Sequence, residues 1–255
     1  MQAESEISED AILGGLLRVR QPLRGHRIGH DAILLAAATA GRAGERAVEL
    51  GSGVGAAGLA LAARVLGLHV SLVEIDRALC ALASDNARLN RLDDRVRVLD
   101  ADAENAQTLA AAGLAAQSID RVLMNPPFLD ARRHNVSPDP RRRSAHTGSP
   151  GLLVRWVAAA AWLLKPRGVL TLIWRADEND EVLETLQPEF GDIAVLPVVP
   201  RIGKPAIRIL IRAEKGGSGG QANYPAFILN DEHGQPTAAA EAVLRSAKKL
   251  NIAEN

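Results

Sequence analysis

The sequence predicts an α/β fold: a doubly wound sheet, mostly parallel, with helices on both faces and an antiparallel edge hairpin. Three observations predict it. From Arg46 to about residue 187, short apolar runs alternate with longer helical stretches, the pattern of parallel strands joined by helical crossovers. A glycine loop, Gly51-Ser52-Gly53-Val54-Gly55, separates the first of those strands from its helix. Two late strand-like runs, 193–199 and 206–211, follow one another with no helix between them, which predicts antiparallel pairing.

Taken in order, residues 1–10 read as a disordered tail and 16–20 as a short strand. Residues 25–30 read as a loop, with Asp31 as the N-cap of an alanine- and leucine-rich helix over 32–40. The first strand of the sheet is 47–50, and its helix runs to about Leu66. A strand at 69–75 and a helix at 77–90 follow, then a strand at 96–99, an alanine-rich helix within 104–114 and a fourth strand at 119–124. Beyond a polar loop, 150–164 is helical, 169–174 is a strand and 178–187 a helix. The run Gly216-Gly217-Ser218-Gly219-Gly220 has the composition of a flexible linker. It leads to an apolar run at 226–229, a turn at His233-Gly234 and a helix from about Thr237. The expected division is an N-terminal segment 1–45, a main domain 46–213, and a linker with a small strand–helix appendage over 214–255.

Composition narrows the function classes. The 255 residues carry a formal net charge of zero, so no global field draws the chain to nucleic acid and any such attraction is local. One cysteine, Cys80, excludes an internal disulfide and fits a reducing compartment. Glu4, Glu6, Glu9 and Asp10 give the N-terminus the wrong sign for a secretory signal, and the longest apolar stretch, 152–164, is interrupted by Arg155 and too short to span a bilayer. The expectation is a soluble cytoplasmic protein without membrane association. The histidines are scattered, without companion cysteines, so no metal site is expected.

In a doubly wound sheet the ligand sits outside the carboxyl ends of the strands. The glycine loop stands there, where glycines permit a tight turn and close backbone approach. Gly53, Gly55 and Gly58 also match the G-x-G-x-x-G of dinucleotide enzymes, and Glu74, about twenty residues on, suits a ribose hydroxyl in either kind of site. Glu49 tips the balance, because a carboxylate suits the cationic amino group of a methionine moiety and not a pyrophosphate. Asp102, after the third strand, is placed to accept from an adenine amino group, with Asp100 as its rival.

Asn125-Pro126-Pro127-Phe128 closes the fourth strand. Asn-Pro and Pro-Pro also punctuate ordinary turns. Here, however, the tetrapeptide follows the glycine loop, Glu74 and Asp102 in order. The Asn125 side-chain carbonyl and the Pro126 backbone carbonyl are two acceptors that would orient a planar amino group for attack on a sulfonium methyl. The prolines fix φ and remove competing donors. Phe128 would stack on a planar substrate.

These residues resemble the class I S-adenosyl-L-methionine-dependent methyltransferases of the N-P-P-[YF] group over 46–213. Val48-Glu49-Leu50-Gly51-Ser52-Gly53-Val54-Gly55 looks like their first motif and Val73-Glu74-Ile75-Asp76 like the second. The resemblance implies S-adenosyl-L-methionine as cofactor, held by Glu49, Gly51, Ser52, Gly53, Glu74, Ile75, Asp102, Ala103 and Asn125, with Asn125, Pro126, Pro127 and Phe128 catalytic. The chain resembles more closely the bacterial tRNA adenine-N6 methyltransferases that modify the base beside the anticodon of a valine tRNA. That likeness includes Gln21-Pro22-Leu23-Arg24-Gly25-His26-Arg27-Ile28-Gly29-His30-Asp31-Ala32 and the segment from Tyr224 to the terminal helix. Phe128 stands where tyrosine is commoner.

Residues 130–146 hold Arg132, Arg133, Arg141, Arg142 and Arg143 against Asp130 and Asp139, an excess of three positive charges beside the tetrapeptide. With Arg27, and the neighbouring Arg18, Arg20 and Arg24, they are the candidate contacts to RNA phosphates, and tRNA is the expected partner. Competing readings are a protein glutamine methyltransferase and a ribosomal RNA guanine-N2 methyltransferase. The former is ranked lower because only some 45 residues precede the first strand of the sheet, where such enzymes usually carry a helical domain. From another class, an NAD-dependent oxidoreductase or an inactive cofactor-binding module would share the glycine loop.

Overall fold

Residues 7–24, 27–127 and 151–253 are described by a computed structural model of the chain. The first of them correct the expectation of a tail: β1 (Ile7–Ile12) pairs antiparallel with β2 (Leu17–Pro22). The acids that made this stretch look unstructured are its cross-strand partners. Glu9 stands opposite Arg20 in the ladder and binds both Arg20, at 3.0 Å, and Arg18. The buried Gln21 side chain donates to Asp10 at 2.6 Å and accepts from the Ile28 N–H at 2.8 Å, so the hairpin also holds the following loop.

Next come α1 (His30–Ala38), β3 (Arg46–Leu50), α2 (Ala56–Arg64), β4 (His69–Glu74), α3 (Arg77–Leu89), β5 (Val96–Asp100), α4 (Ala106–Ala111) and β6 (Ile119–Met124). The later elements are α5 (Leu152–Leu163), β7 (Leu164–Arg175), α6 (Asn179–Leu186), β8 (Phe190–Val199), β9 (Arg208–Lys215), β10 (Gln221–Asn223), β11 (Phe227–Ile228) and α7 (Ala238–Ser246). One nine-stranded sheet runs β10-β8-β9-β7-β6-β3-β4-β5, with β11 also on β8. Strands β3 to β7 are mutually parallel, and β9 lies antiparallel between β7 and β8. This is the doubly wound sheet with its late hairpin.

Burial follows the pleat. Ala47, Leu72, Leu123, Ile173 and Leu210 face α1, α2, α3 and α7, whereas Val48, Leu50, Val73, Val122 and Met124 face α4, α5 and α6. The central strands, covered on both sides, therefore read as unbroken apolar runs. The N-terminal hairpin is fastened to the sheet domain by two amides of α3. Asn86 bridges the N–H and C=O of Arg20 and also donates to Val54 O, and Asn90 bridges the N–H and C=O of Arg18.

Three local expectations change. Gly29, not Asp31, is the N-cap of α1, with no side-chain cap bond; Asp31 lies in the first turn and pairs with Arg208 of β9 at 2.9 Å. The glycine run after β9 is bound main chain rather than free linker. Gly216 N–H donates to Glu189 O, Asp192 N–H donates to Gly219 O, and β10 and β11 extend the sheet parallel to β8. The physical reason is the open edge of β8, whose unpaired main-chain groups recruit whatever chain follows. Finally, α7 packs against α1 and the turn between β1 and β2, and Leu250 N–H donates to Ala37 O, which brings the last described residues onto the core.

Candidate active site

Parallel strands β3, β4, β5 and β6 all end on one side, so the loops holding Gly51, Glu74, Asp102 and Asn125 converge there. Ladder register makes the neighbours explicit: Leu50 stands beside both Val73 and Met124, and Glu74 beside Asp100.

Glu49 is 5 % exposed, and its Oε2 accepts from the Gly58 N–H in α2 at 2.7 Å. Burial pushes its carboxyl up to about 8; the Gly58 bond opposes this, and the nearby Glu74 charge adds to it. Gly58 permits the arrangement, because a Cβ there would lie 2.3 Å from Leu72 Cδ2 and 2.8 Å from Glu49 Oε2. Glu74 is tied to the loop itself. Its Oε2 accepts from Gly53 N–H at 2.8 Å, and its Oε1 accepts from the N–H groups of Ile75 and Asp76, both at 2.9 Å. Glu74 thus braces the glycine loop, and Glu49 the first turn of the helix that follows it.

At the end of β5 the rival acids separate. Asp100 pairs with Arg77 at 2.8 Å on the surface. Asp102 is half-buried and its Oδ1 accepts from Glu104 N–H at 2.9 Å, beside the buried Ala103. Ile75, directly after Glu74, keeps 56 % of its surface exposed.

A contact that sequence reasoning did not find crosses this end of the sheet. Trp156, on the first turns of α5, packs its indole against Gly51, where a Cβ would come within 2.3 Å of the ring. Glu104 binds Arg155 and accepts from Trp156 Nε1 at 3.4 Å, which holds the helix in place. Trp156 is buried, as expected of a core residue, but its position beside the loop joins residues about a hundred apart in sequence. Only Gly51 itself, with φ of +65°, hinted at a tight approach.

Two buried polar atoms here have no hydrogen-bond partner among the described residues: Ser52 Oγ and Asn125 Oδ1. Leaving such an atom unsatisfied costs about 1–3 kcal/mol, which is recovered only when something supplies the missing partner. Together with the exposed Ile75, they describe a surface suited to a large, polar-edged ligand. Pro126 is buried and Pro127 half-buried. Phe128, Arg132, Arg133, Arg141, Arg142 and Arg143 lie outside the described residues. Arg27 is described, and pairs with Asp10 at 2.8 Å. The cluster of Arg18, Arg20 and Arg27 is therefore partly neutralised by Glu9 and Asp10.

Residues 27–199 match the family described as methyltransferase small domain. The chain belongs to that family. It is 30 % identical over 193 residues to an Aeromonas hydrophila protein named tRNA1(Val) (adenine(37)-N6)-methyltransferase, covering 74 % of this chain and 77 % of that one. A Chlorobaculum tepidum release factor glutamine methyltransferase is 29 % identical over 155 residues, covering 58 % of this chain and 52 % of the relative. Among solved structures, a predicted O-methyltransferase from Agrobacterium tumefaciens superposes with a TM-score of 0.73 at 27 % identity, covering 86 % of this chain and 98 % of that one. The chain is an S-adenosylmethionine-dependent methyltransferase, which removes the oxidoreductase reading of the glycine loop. Among the described residues no helix is long and apolar enough to cross a membrane.

Proposed function

We propose that the enzyme methylates the N6 amino nitrogen of an adenine in RNA, with tRNA as the substrate. The observation that carries the nitrogen chemistry is Asn125 Oδ1, a buried acceptor without a donor among the described residues, at the end of the strand beside the glycine loop. The relative from Aeromonas, and the basic stretch 130–146 directly after the tetrapeptide, support the RNA assignment.

In this reading S-adenosylmethionine supplies an electrophilic methyl group on its sulfonium. Asn125 Oδ1 and the Pro126 carbonyl accept the two N–H groups of the substrate amine, which draws its lone pair out of conjugation and aims it. The two prolines keep those acceptors preorganised, so little reorganisation accompanies the reaction. After transfer the cationic nitrogen sheds a proton to water, and no general base is needed. Phe128 stacks on the base, and Arg132, Arg133, Arg141, Arg142, Arg143 and Arg27 meet phosphates. Glu74 accepts from ribose hydroxyls with lone pairs beyond those used by Gly53, Ile75 and Asp76. Ile75 and Ala103 flank the adenine, and Asp102 accepts from its amino group. Gly51, Ser52, Gly53 and Glu49 take the methionine end.

The test is Asn125→Ala. Transfer of labelled methyl to tRNA is expected to fall on the order of 100- to 1000-fold, the loss typical of one preorganised polar group. Cofactor affinity is expected to stay within about threefold, because a second orphaned group, Ser52 Oγ, and the two braced carboxyls remain. Wild-type turnover in the variant would remove Asn125 from the mechanism. The same tetrapeptide chemistry suits a glutamine amide, and the Chlorobaculum relative favours that second reading. Methyl label entering a protein glutamine and not tRNA would replace the substrate while leaving the role of Asn125 intact.

A further inference from the structure

The hairpin between β8 and β9 ends on the same side of the sheet as Asn125. Register places it: Met124 stands beside Leu172, Trp174 beside Ile209, and Val198 beside Arg208. At about 4.8 Å per strand, its tip lies roughly 10–15 Å along the rim from the tetrapeptide. It also adjoins the start of α1, through the Arg208–Asp31 pair at 2.9 Å.

The tip is held rather than loose. Ile202 N–H donates to Asn230 O at 3.1 Å, Asn230 Nδ2 donates to Pro200 O at 2.7 Å, and Lys204 N–H closes a turn onto Arg201 O at 3.0 Å. The Arg201 side chain binds the Glu232 carbonyl. On this braced platform Ile202 is 50 % and Ile207 44 % exposed. A single exposed isoleucine needs no explanation, but one short, held loop presents two. Residues 199–208 contain Arg201, Lys204 and Arg208 and no acid; Arg208 is paired with Asp31, and Asp231 and Glu232 follow Asn230 beside the tip. Cations interleaved with apolar side chains complement a nucleic-acid strand, which offers phosphates on one edge and ribose and base faces on the other.

We infer that the tip of the β8–β9 hairpin is a docking surface for the RNA that flanks the methylated base, with Arg201 and Lys204 on phosphates and Ile202 and Ile207 against ribose and base faces. This rests on the RNA reading above. It adds a fixed contact on the far side of the catalytic strand from the glycine loop, so the substrate is gripped across the rim and not only at the reacting base.

The test uses the full chain, a tRNA transcript with an unmodified adenine beside its anticodon, and two double variants, Arg201→Ser/Lys204→Ser and Ile202→Ser/Ile207→Ser. The charge variant is expected to bind tRNA about tenfold more weakly, with the slope of log affinity against log salt reduced by about 1–2. The isoleucine variant is expected to weaken binding with the wild-type salt slope. S-adenosylmethionine affinity should match wild type in both, which separates lost docking from lost folding. Binding of tRNA within twofold of wild type by both variants overturns the inference. Failure of the substrate reading is distinguishable, because it is seen in the wild-type enzyme itself, as no tRNA binding and no label in RNA.

Discussion

Where the parallel strands begin, Asp120 accepts from Lys165 Nζ at 2.6 Å and from Arg46 N–H at 2.9 Å, and Arg121 grips Glu45 through two bonds of 2.9 and 3.0 Å. Where the same strands end, Ser52 Oγ and Asn125 Oδ1 are buried without partners among the described residues, Ile75 is more than half exposed, and Glu49 lies buried close to another acid. The carboxyls record the contrast. Burial alone would raise Asp120, but the Lys165 bond and the Arg46 N–H outweigh it and hold the group below the usual range. Glu49 goes the other way, to about 8. One end of the sheet completes its own bonding and contributes stability whether or not a ligand is present. The other end forgoes part of that stability, and in return presents acceptors for something from outside.

The largest expected effect comes from closing the ligand end. Gly51→Ala adds a Cβ into the indole of Trp156 at a left-handed backbone position. Methyl transfer should fall about 100-fold or more, and stability by about 1–3 kcal/mol from overpacking. Adding Trp156→Leu should restore most of the stability in denaturant melts but little of the activity. Equal recovery of both would mean that Gly51 serves packing alone.

Next is the opposite pH response of the two ends. The Glu49 folded value, about 8, lies above its ordinary 4.5, so the folded state holds the proton more tightly. Its stabilising contribution is full below about 4.5 and is lost as pH rises toward 8. Glu49→Gln should therefore melt several degrees above wild type near pH 9, and the gap should shrink toward pH 5. If Glu49 takes the methionine ammonium as a carboxylate, cofactor binding near neutral pH releases a proton. Calorimetry in buffers of different ionisation enthalpy should count close to one, and none for Glu49→Gln. Equal counts in the two proteins would remove Glu49 from that role.

The smallest effect is expected at the closed end. Asp120→Ala should cost about 1 kcal/mol at neutral pH, since the pair with Lys165 is partly solvated. Asp120 contributes above its ordinary value of 3.8, and that contribution fades as pH falls through its lower folded value. Activity per folded molecule should not change. A large loss of turnover would show that the two ends are coupled.

Much of this was legible in the chain. Apolar runs of the right length, glycines after the first and the tetrapeptide after the fourth gave the order of elements along the chain, helix placement and the side of the sheet that carries the site. These signals are local, because strand and helix periodicities lie within a few residues of one another. The N-terminal acids misled for the opposite reason. Glu9 and Asp10 look solvated until Arg18, Arg20, Gln21 and Arg27 are brought against them. The glycine run misled in the same way, since its composition is that of a free chain and only the open edge of β8 gives it partners.

By itself the sequence determined a doubly wound α/β sheet, the order of its loops and the residue types at each strand end, because these follow from backbone preference and hydrophobic period. Tertiary structure alone decided that Trp156 closes on Gly51, that burial raises the Glu49 carboxyl, that Asp100 pairs with Arg77 while Asp102 accepts from the Glu104 N–H, and that Asn125 Oδ1 has no donor among the described residues. Each of these depends on which groups share a space after folding, and burial and pairing are properties of that space and not of the residues taken one at a time.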